Sequence, residues 1–174
     1  MSGGVKRAIN GTLAIMAGGD KSDIVKIEPV LKTMGTSIIE TGKLGSGHAM
    51  KALNNYVSAA GLLAACEALD AGEKFGIAPE TIVKALNSST GKNNSTEVKL
   101  NQFIVSRAFN SGFTVGLMRK DLAIAVDLAK AVHGGMPLAE ALLGSWTRAE
   151  ERYGKGADHT EIFRLVMDCG QIEK

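Results

Sequence analysis

Residues 45–75 read GSGHAMKALNNYVSAAGLLAACEALDAGEKF. From His48 to Phe75 the apolar side chains recur every three or four residues, which predicts one long helix that ends before Gly76. Alanines lie on both sides of this helix, a pattern typical of a helix that is buried between other helices. We therefore predict a fold in which the packing of helices around residues 48–75 dominates.

The residues before the long helix predict a short α/β segment. An apolar run bounded by glycines predicts a strand over residues 11–19, and a similar run predicts a second strand over residues 36–41. Between them lies a predicted helix, residues 22–34, with Ser22 as its cap and a glycine as its stop. Pro29 lies inside this helix and is expected to kink or divide it. The order strand, helix, strand is that of the tail of an α/β layer.

The residues after the long helix predict further helices and no strand. Prolines at helix starts and a polar run over residues 87–95 separate the helical patterns. The predicted helices cover residues 79–86, 96–105, 117–132, 138–153 and 160–167. The predicted fold class is therefore mainly α. A strand-helix-strand segment forms a first domain, residues 1–44, and the long helix opens an all-helical domain, residues 45–174.

The composition is that of a globular protein that handles small molecules. Of 174 residues, 45% are hydrophobic and 22% charged, and 20 basic against 18 acidic residues leave a formal charge of +2. This balance predicts neither nucleic acid nor a membrane as a partner. Cys66 and Cys169 fit no metal-ligand spacing, and the first residues do not resemble a signal peptide. We predict a soluble, cytoplasmic protein.

The glycines at the start of the long helix partly match the sequence motif of a dinucleotide-binding turn. Gly45 and Gly47 follow a strand and precede a helix, as the first two glycines of G-x-G-x-x-G do. The third position is Met50, where close packing of helix on strand requires Gly or Ala. One uninterrupted helix follows, so no second strand is available to carry a ribose-binding acid. We therefore favour a strand-to-helix turn that binds no phosphate.

Polar residues interrupt the apolar surface near the start of the long helix. Lys51 and Asn55 lie about one helical turn apart, and Asn54 lies beside them. A lysine on a buried helix would be poorly solvated, which lowers its pKa and suits it for proton transfer near neutral pH. Alternatively, Lys51 extends to solvent and the asparagines pack at the helix start. The spacing leaves both interpretations open.

Three ordered segments of the chain resemble signatures of a known enzyme family. They are SGGVKRAINGTLAIMAGG (residues 2–19), GSGHAMKALNN (residues 45–55) and FTVGLMRKDLAIA (residues 113–125). Together they resemble the β-hydroxyacid dehydrogenases, a family that includes 3-hydroxyisobutyrate dehydrogenase and the tartronate, glyoxylate and succinic semialdehyde reductases. The resemblance covers nearly the whole chain. It implies that residues 1–44 are the remnant of a dinucleotide-binding domain.

The resemblance implies a role for residues in each of these segments. Lys51 is implied to be the catalytic general acid or base. The implied substrate-binding residues are Ser2, Gly3, Gly4 and Asn55. The implied cofactor-binding residues are Phe113, Lys120 and Asp121, with NAD or NADP as the cofactor. Read without the resemblance, residues 2–4 are a glycine turn, Phe113 is a core residue and residues 120–121 are a solvated helix start.

Weaker candidates lie outside these segments. The polar loop of residues 88–94 is expected to lie at the same cleft, without an assigned role. His159 and Glu161 are interpreted as surface residues rather than as a site, and no metal is predicted. Trp146 is interpreted as a core or interface residue.

The predicted function is that of part of an oxidoreductase. It resembles enzymes that transfer a hydride between NAD(P) and a small β-hydroxy acid or semialdehyde, with a lysine as general acid or base. The family's G-x-G-x-x-G turn would precede Met1, so we expect the cofactor site to be incomplete in this chain. The alternative is a noncatalytic helical oligomerisation module left by truncation. In either case we expect a homo-oligomer.

Overall fold

The computed structural model describes residues 1–169, in which a small α/β layer packs against a group of helices. The layer contains helix α1 (Gly4–Ile9), strand β1 (Leu13–Gly18), helix α2 (Lys21–Met34) and strand β2 (Gly35–Gly42). The two strands pair in parallel, and α2 provides the crossover between them. The predicted strand-helix-strand order is therefore confirmed.

Two local predictions for this layer are wrong. Ser22 does not cap α2, because the helix begins at Lys21 and the preceding Asp20 makes no side-chain capping bond. Pro29 lies inside α2 without dividing it. A proline removes the hydrogen bond to the carbonyl four residues earlier, and here that residue, Val25, is 53% exposed, so water can replace the bond. In addition, α1 begins at the last residue of the glycine turn predicted over residues 2–4 and continues through residues for which no element was predicted.

Helical elements account for the rest of the described chain. They are α3 (Ser46–Phe75), α4 (Pro79–Asn87), a π-helix (Ser95–Val105), α5 (Val115–Ala131), α6 (Pro137–Tyr153), a 3-10 turn (His159–Glu161) and α7 (Ile162–Cys169). The mainly α fold is confirmed. The sequence pattern did not distinguish the π-helix from an α-helix, because both present apolar residues at nearly the same spacing.

Helix α3 is the centre of the core. Its side chains Leu62 and Leu69 are fully buried, and α5, α7 and the π-helix pack around it. Trp146 of α6 and Phe163 of α7 are also fully buried in this core. Trp146 is therefore a core residue, as predicted. Within residues 1–169 no helix is long and apolar enough to cross a membrane.

The start of α3 packs directly on the strands. A Cβ atom added at Gly47 would collide with the carbonyl oxygen of Met16 in β1, so only glycine allows this approach. Gly45 precedes the helix with a left-handed φ of 89°. These glycines serve the junction between β1 and α3, as the strand-to-helix turn expected from the sequence requires.

Candidate functional site

A cleft of about 860 Å³ lies where the N-terminal residues meet α3 and the π-helix. This volume falls in the range of small-molecule sites. One side of the cleft is residues 1–4 with Lys6 and Arg7, and the floor is the polar face of α3 from Lys51 to Gly61. Of the polar loop of residues 88–94, which was expected at the cleft, Asn93 and Asn94 line it.

A chain of hydrogen bonds connects α3 and α5 at the start of the cleft. The Nζ atom of Lys51 donates to Oδ1 of Asn55 at 2.7 Å. The Nδ2 atom of Asn55 donates in turn to Oδ2 of Asp121 at 2.5 Å, and Lys120 forms an ion pair with Oδ1 of Asp121 at 2.8 Å. Asn55 and Asp121 are each 6% exposed. The buried amide and carboxylate therefore hold the Lys51 ammonium in one position.

The surroundings of Lys51 favour its neutral form. Burial lowers the pKa of Lys51 below its ordinary value, because the cleft solvates the ammonium poorly. The Asp121 carboxylate opposes this effect by stabilising the ammonium, and the Lys120 ammonium adds to it by repulsion. Since Lys51 lines the cleft, a group that exchanges protons faces the space where a ligand would bind. Lys51 is partly buried and its Nζ is hydrogen-bonded to Asn55, whereas its role in proton transfer stays a prediction.

Replacing Asp121 by Asn should lower the pKa of Lys51 further. The amide oxygen of the new side chain can still accept from Asn55, so the geometry is preserved while the charge that stabilises the ammonium is lost. The pKa can be measured by NMR titration of the Lys51 side chain in the chain of residues 1–174. Asp127→Asn on the exposed face of the same helix is the matched control and should leave the pKa unchanged. An unchanged or raised pKa in D121N would contradict this account of the site.

The N-terminal residues Ser2, Gly3 and Gly4 lie at the cleft, as expected for substrate-binding residues. The backbone of Ser2 is already used, because its amide donates to the Ala14 carbonyl at 2.8 Å and its carbonyl accepts from the Ala14 amide at 2.9 Å. What Ser2 can offer a ligand is therefore its hydroxyl. Gly3 and Gly4 have φ of 140° and 63°, which a side chain would strain.

The expected cofactor-binding residues are not all at the cleft. Phe113 lines it and is half-buried, with its ring edge against His159 at a centroid distance of 5.5 Å. Asp121 lies behind Asn55, where it supports the Lys51 network rather than the cleft surface. Lys120 has a side chain that is 56% exposed, and it does not line the cleft. It forms an ion pair with Asp121, and its charge lowers the pKa of Lys51 by repulsion.

The interpretation of His159 as a surface residue is wrong. His159 is 2% exposed, lines the cleft and stacks on Trp146. Burial lowers its pKa, while the Asp158 carboxylate, 3.6 Å from its Nδ1, opposes that effect. No periodic pattern surrounds His159 in the sequence, because it lies in a 3-10 turn whose burial depends on residues brought from α6 and the loop before α5.

Ser111, Asp158 and His159 resemble a catalytic triad in composition only. The Ser111 hydroxyl lies 2.9 Å from Nδ1 of His159 and also donates to the Asp158 carboxylate. In a triad the serine and the carboxylate contact opposite ring nitrogens, whereas here both lie on the Nδ1 side, where the Phe113 carbonyl also lies at 3.0 Å. These bonds fix the loop before α5 to the 3-10 turn. They do not activate a nucleophile.

Lys99 is a further cleft residue that sequence reasoning missed. It lies on the π-helix, and its Nζ is 3.4 Å from the Ser58 hydroxyl of α3. Burial lowers its pKa to about 8. Nothing in the local sequence distinguishes Lys99 from a surface lysine, because only the packing of the π-helix against α3 turns it inwards. Among residues 1–169 there is no group of His, Cys, Asp and Glu that could hold a metal ion.

Two family models together cover most of the chain. The model described as NAD-binding of NADP-dependent 3-hydroxyisobutyrate dehydrogenase matches residues 45–166. The model described as the NAD binding domain of 6-phosphogluconate dehydrogenase matches residues 1–42. Both descriptions name the nicotinamide dinucleotide, which confirms NAD or NADP as the cofactor class of the family.

Individual relatives agree with these models. The chain is 38% identical over 138 residues to 2-(hydroxymethyl)glutarate dehydrogenase of Eubacterium barkeri, covering 79% of the chain and 45% of that protein. It is 32% identical over 174 residues to 3-hydroxyisobutyrate dehydrogenase of Pseudomonas aeruginosa, covering 95% of the chain and 58% of that protein. The chain thus spans about half the length of these relatives.

A solved structure shares the fold. The 3-hydroxyisobutyrate dehydrogenase of Mycobacterium tuberculosis, determined with L-serine, superposes with a TM-score of 0.86 at 30% sequence identity. The match covers 95% of the chain and 58% of that structure. From the family models, the relatives and this fold, we conclude that the chain belongs to the β-hydroxyacid dehydrogenase family.

Proposed function

We propose that this chain is part of an oxidoreductase that transfers a hydride between NAD(P) and a small β-hydroxy acid or its semialdehyde. The observation that carries the proposal is the Lys51 network: a lysine of lowered pKa, held by the buried pair Asn55 and Asp121, at the surface of a cleft. The relatives' names, which refer to hydroxy acids, support the substrate class.

In this mechanism Lys51 moves the hydroxyl proton. When the hydroxy acid is oxidised, the neutral Nζ accepts the proton of the hydroxyl as the hydride leaves carbon, and in the reverse direction the ammonium returns it. The nicotinamide, when bound, supplies the hydride chemistry. Asn55 keeps Nζ aimed at the reacting oxygen, and Asp121 keeps Asn55 in place. Burial lowers the pKa of Lys51, so its neutral form is more accessible than that of an ordinary lysine.

The N-terminal residues would orient the substrate. The Ser2 amide and carbonyl pair with the backbone of Ala14, which leaves the Ser2 hydroxyl to contact a ligand. Gly3 and Gly4 also line the cleft, and without side chains their backbone is accessible there. Hydroxyl and amide donors suit a carboxylate oxygen. We propose that these residues hold the substrate carboxylate while Lys51 and Asn55 hold its hydroxyl.

The residues present fit one end of the cofactor. Phe113 is an aromatic wall of the cleft and would border the nicotinamide, and the cleft is large enough for a ring and a small acid. Residues 1–174 contain no G-x-G-x-x-G turn for the pyrophosphate. The proposed contact of Lys120 with the cofactor stays a prediction, as Lys120 lies outside the cleft lining.

The chain alone should bind NADH and NADPH weakly, with a dissociation constant in the millimolar range or no measurable binding. Phe113 supplies one wall of the site, and the residues that would bind the phosphates are not in this sequence. Titration of residues 1–174 into reduced cofactor, followed by cofactor fluorescence, measures this. The full-length Pseudomonas aeruginosa relative is the positive control. Micromolar or tighter binding by residues 1–174 would mean that the proposed cofactor arrangement is wrong.

The other predictions about the whole protein stay proposals. The noncatalytic oligomerisation module is disfavoured, since the matched family models describe NAD-binding regions. A homo-oligomer remains our proposal, supported by exposed apolar side chains on α3 outside the cleft, such as Phe75 at 85%. The division into domains at residue 45 and the cytoplasmic location also remain predictions.

A further inference from the structure

A second lysine faces the same cleft as Lys51. Lys99 lies on the π-helix, and the contact of its Nζ with the Ser58 hydroxyl at 3.4 Å brings the ammonium to α3. Within residues 1–169 no carboxylate lies within ion-pair distance of Lys99. A cation that is largely withdrawn from water usually has an anionic partner. Because Lys99 has no such partner among the described residues, its ammonium is available to an anionic ligand.

The nearby carboxylate of Asp158 is not such a partner. Its oxygens accept from the hydroxyls of Ser111 and Thr160 and from the backbone amides of Gly112 and Thr160. These bonds hold the pKa of Asp158 well below its usual range and keep the carboxylate in the loop junction. Asp158 therefore stabilises the Lys99 ammonium only at a distance.

The two lysines reach neighbouring points on α3. Lys51 contacts Asn55, and Lys99 contacts Ser58. Residues three apart in a helix lie on the same face, about 4.5 Å apart along the axis. A small ligand whose hydroxyl lies at Lys51 could thus place a second group, a few carbons away, at Lys99.

The position of Lys99 is built into the fold. Asn93 accepts through its Oδ1 from the backbone amides of Ser95 and Thr96, which fixes the start of the π-helix. Asn93 also packs against Gly61 of α3, where an added Cβ would lie 3.3 Å from its side chain. Turns of π-helix frequently occur at functional sites. The π-helix and α3 thus form one wall that carries Lys99.

We propose that Lys99 binds a second carboxylate of the substrate, so that the hydroxy acids taken by this cleft are dicarboxylates. This inference rests on the proposed function, in which Ser2 to Gly4 hold the first carboxylate and Lys51 the hydroxyl. A monocarboxylic acid would leave the Lys99 ammonium without an anion. A second carboxylate at Ser58 gives Lys99 the charge-assisted hydrogen bond that the protein itself does not supply.

Direct binding to residues 1–174 tests this without cofactor. Glutarate and butyrate differ by one terminal carboxylate, and their dissociation constants can be compared by NMR titration. Glutarate should bind at least tenfold more tightly, and Lys99→Met should remove that difference without changing the affinity for butyrate. Lys99→Arg should retain part of the preference. Lys84→Met, an exposed lysine on α4, loses the same charge and should behave as the unmodified chain.

The pH dependence separates Lys99 from its neighbours. The groups that face it are Cys66 on α3 and Asp158 and His159 at the 3-10 turn. Burial raises the pKa of the Cys66 thiol and lowers that of His159, and hydrogen bonds lower the pKa of Asp158. Between pH 7 and 9 these groups keep their charge states, whereas Lys99, with its pKa lowered to about 8, loses its proton. The preference for glutarate should therefore fall as the pH rises through 8. The Met1 amino group and Lys51 also line the cleft and have lowered pKa values, so the same comparison is made in K99M, where this fall should be absent.

Each outcome decides the role of Lys99. Equal affinities for glutarate and butyrate, or a preference for glutarate that survives in K99M, would overturn the proposal that Lys99 binds a second carboxylate. A glutarate preference lost in K99M supports it, whatever the result for hydride transfer. Because binding is measured without cofactor, the proposed reaction can fail in its own test while this inference stands, and the reverse also holds.

Discussion

Replacing Lys51 by Met should lower kcat by roughly a hundredfold to ten-thousandfold, the usual contribution of a positioned acid or base. The Met side chain fills similar space but carries no proton, so hydride transfer would have to proceed without proton transfer at the oxygen. Turnover is to be measured in a competent protein, made by joining the chain to the nucleotide-binding segment of a full-length relative. Cofactor affinity should change little, since Lys51 acts on the substrate oxygen.

Two further variants test whether the loss of turnover is due to the missing proton-transferring group of Lys51. Lys51→Arg should fail almost as badly, since a guanidinium keeps its proton at neutral pH. Lys74→Met, near the end of the same helix and in an exposed ion pair with Asp70, should keep normal turnover. If Lys51→Met kept near-normal turnover, Lys51 would be a structural or substrate-holding residue and the proposed mechanism would have to be abandoned.

The rate of oxidation should also fall in acid. Oxidation requires the neutral amine of Lys51, and the neutral fraction decreases as the pH falls below the pKa of that group. Burial lowers this pKa, so the decrease should begin at a lower pH than an ordinary lysine would give. The pH profile of kcat in the same joined protein reports it.

Replacing Trp146 by Ala should destabilise the chain by about 3–5 kcal/mol, the range for removing a large buried aromatic side chain. Trp146 is fully buried in the core and stacks on His159 with ring centroids 6.4 Å apart. The smaller residue would leave a cavity in the layer that supports the cleft. Urea unfolding of residues 1–174, followed by circular dichroism, gives the free energy of unfolding.

Two other substitutions serve as comparisons. Trp146→Phe should cost less than the alanine variant, because it keeps a ring and removes an indole N–H that has no hydrogen-bond partner within the described residues. Leu138→Ala lies on the same helix with 55% of the residue exposed, and should change stability by less than about 0.5 kcal/mol. A loss below about 1 kcal/mol for Trp146→Ala would show that Trp146 does not anchor the core.

Long periodic patterns were the part of the sequence that predicted structure well. The apolar spacing of α3 and the glycine-bounded strands are local signals, and the structure places all of them within a few residues of the predicted bounds. Single-residue signals were less dependable. Ser22 suggested a cap, but the helix begins one residue earlier, at Lys21. Pro29 suggested a break in α2, because its cost depends on the exposure of the carbonyl it leaves without a donor.

The candidate site also contains one part that the sequence predicted and one part that it could not predict. Lys51 and Asn55 could be paired from the sequence, since one helical turn separates them and helical geometry brings them together. Their roles also required the resemblance to a family. The hydrogen bond between Asn55 and Asp121 could not be derived from spacing, because these residues are 66 positions apart and meet only when α5 packs on α3.

Helix content, the order of the elements and the Lys51 and Asn55 pair therefore follow from interactions between residues close together in the chain. Local interactions do not determine the burial of His159. Nor do they determine that the Lys99 side chain points into the cleft, or that residues 95–105 form a π-helix rather than an α-helix. Each depends on side chains from distant elements, and the exposure of a lysine or histidine is a property of what packs over it. Local patterns record the periodicity of an element, whereas the chemistry of this cleft depends on desolvation and on charges that long-range packing brings together.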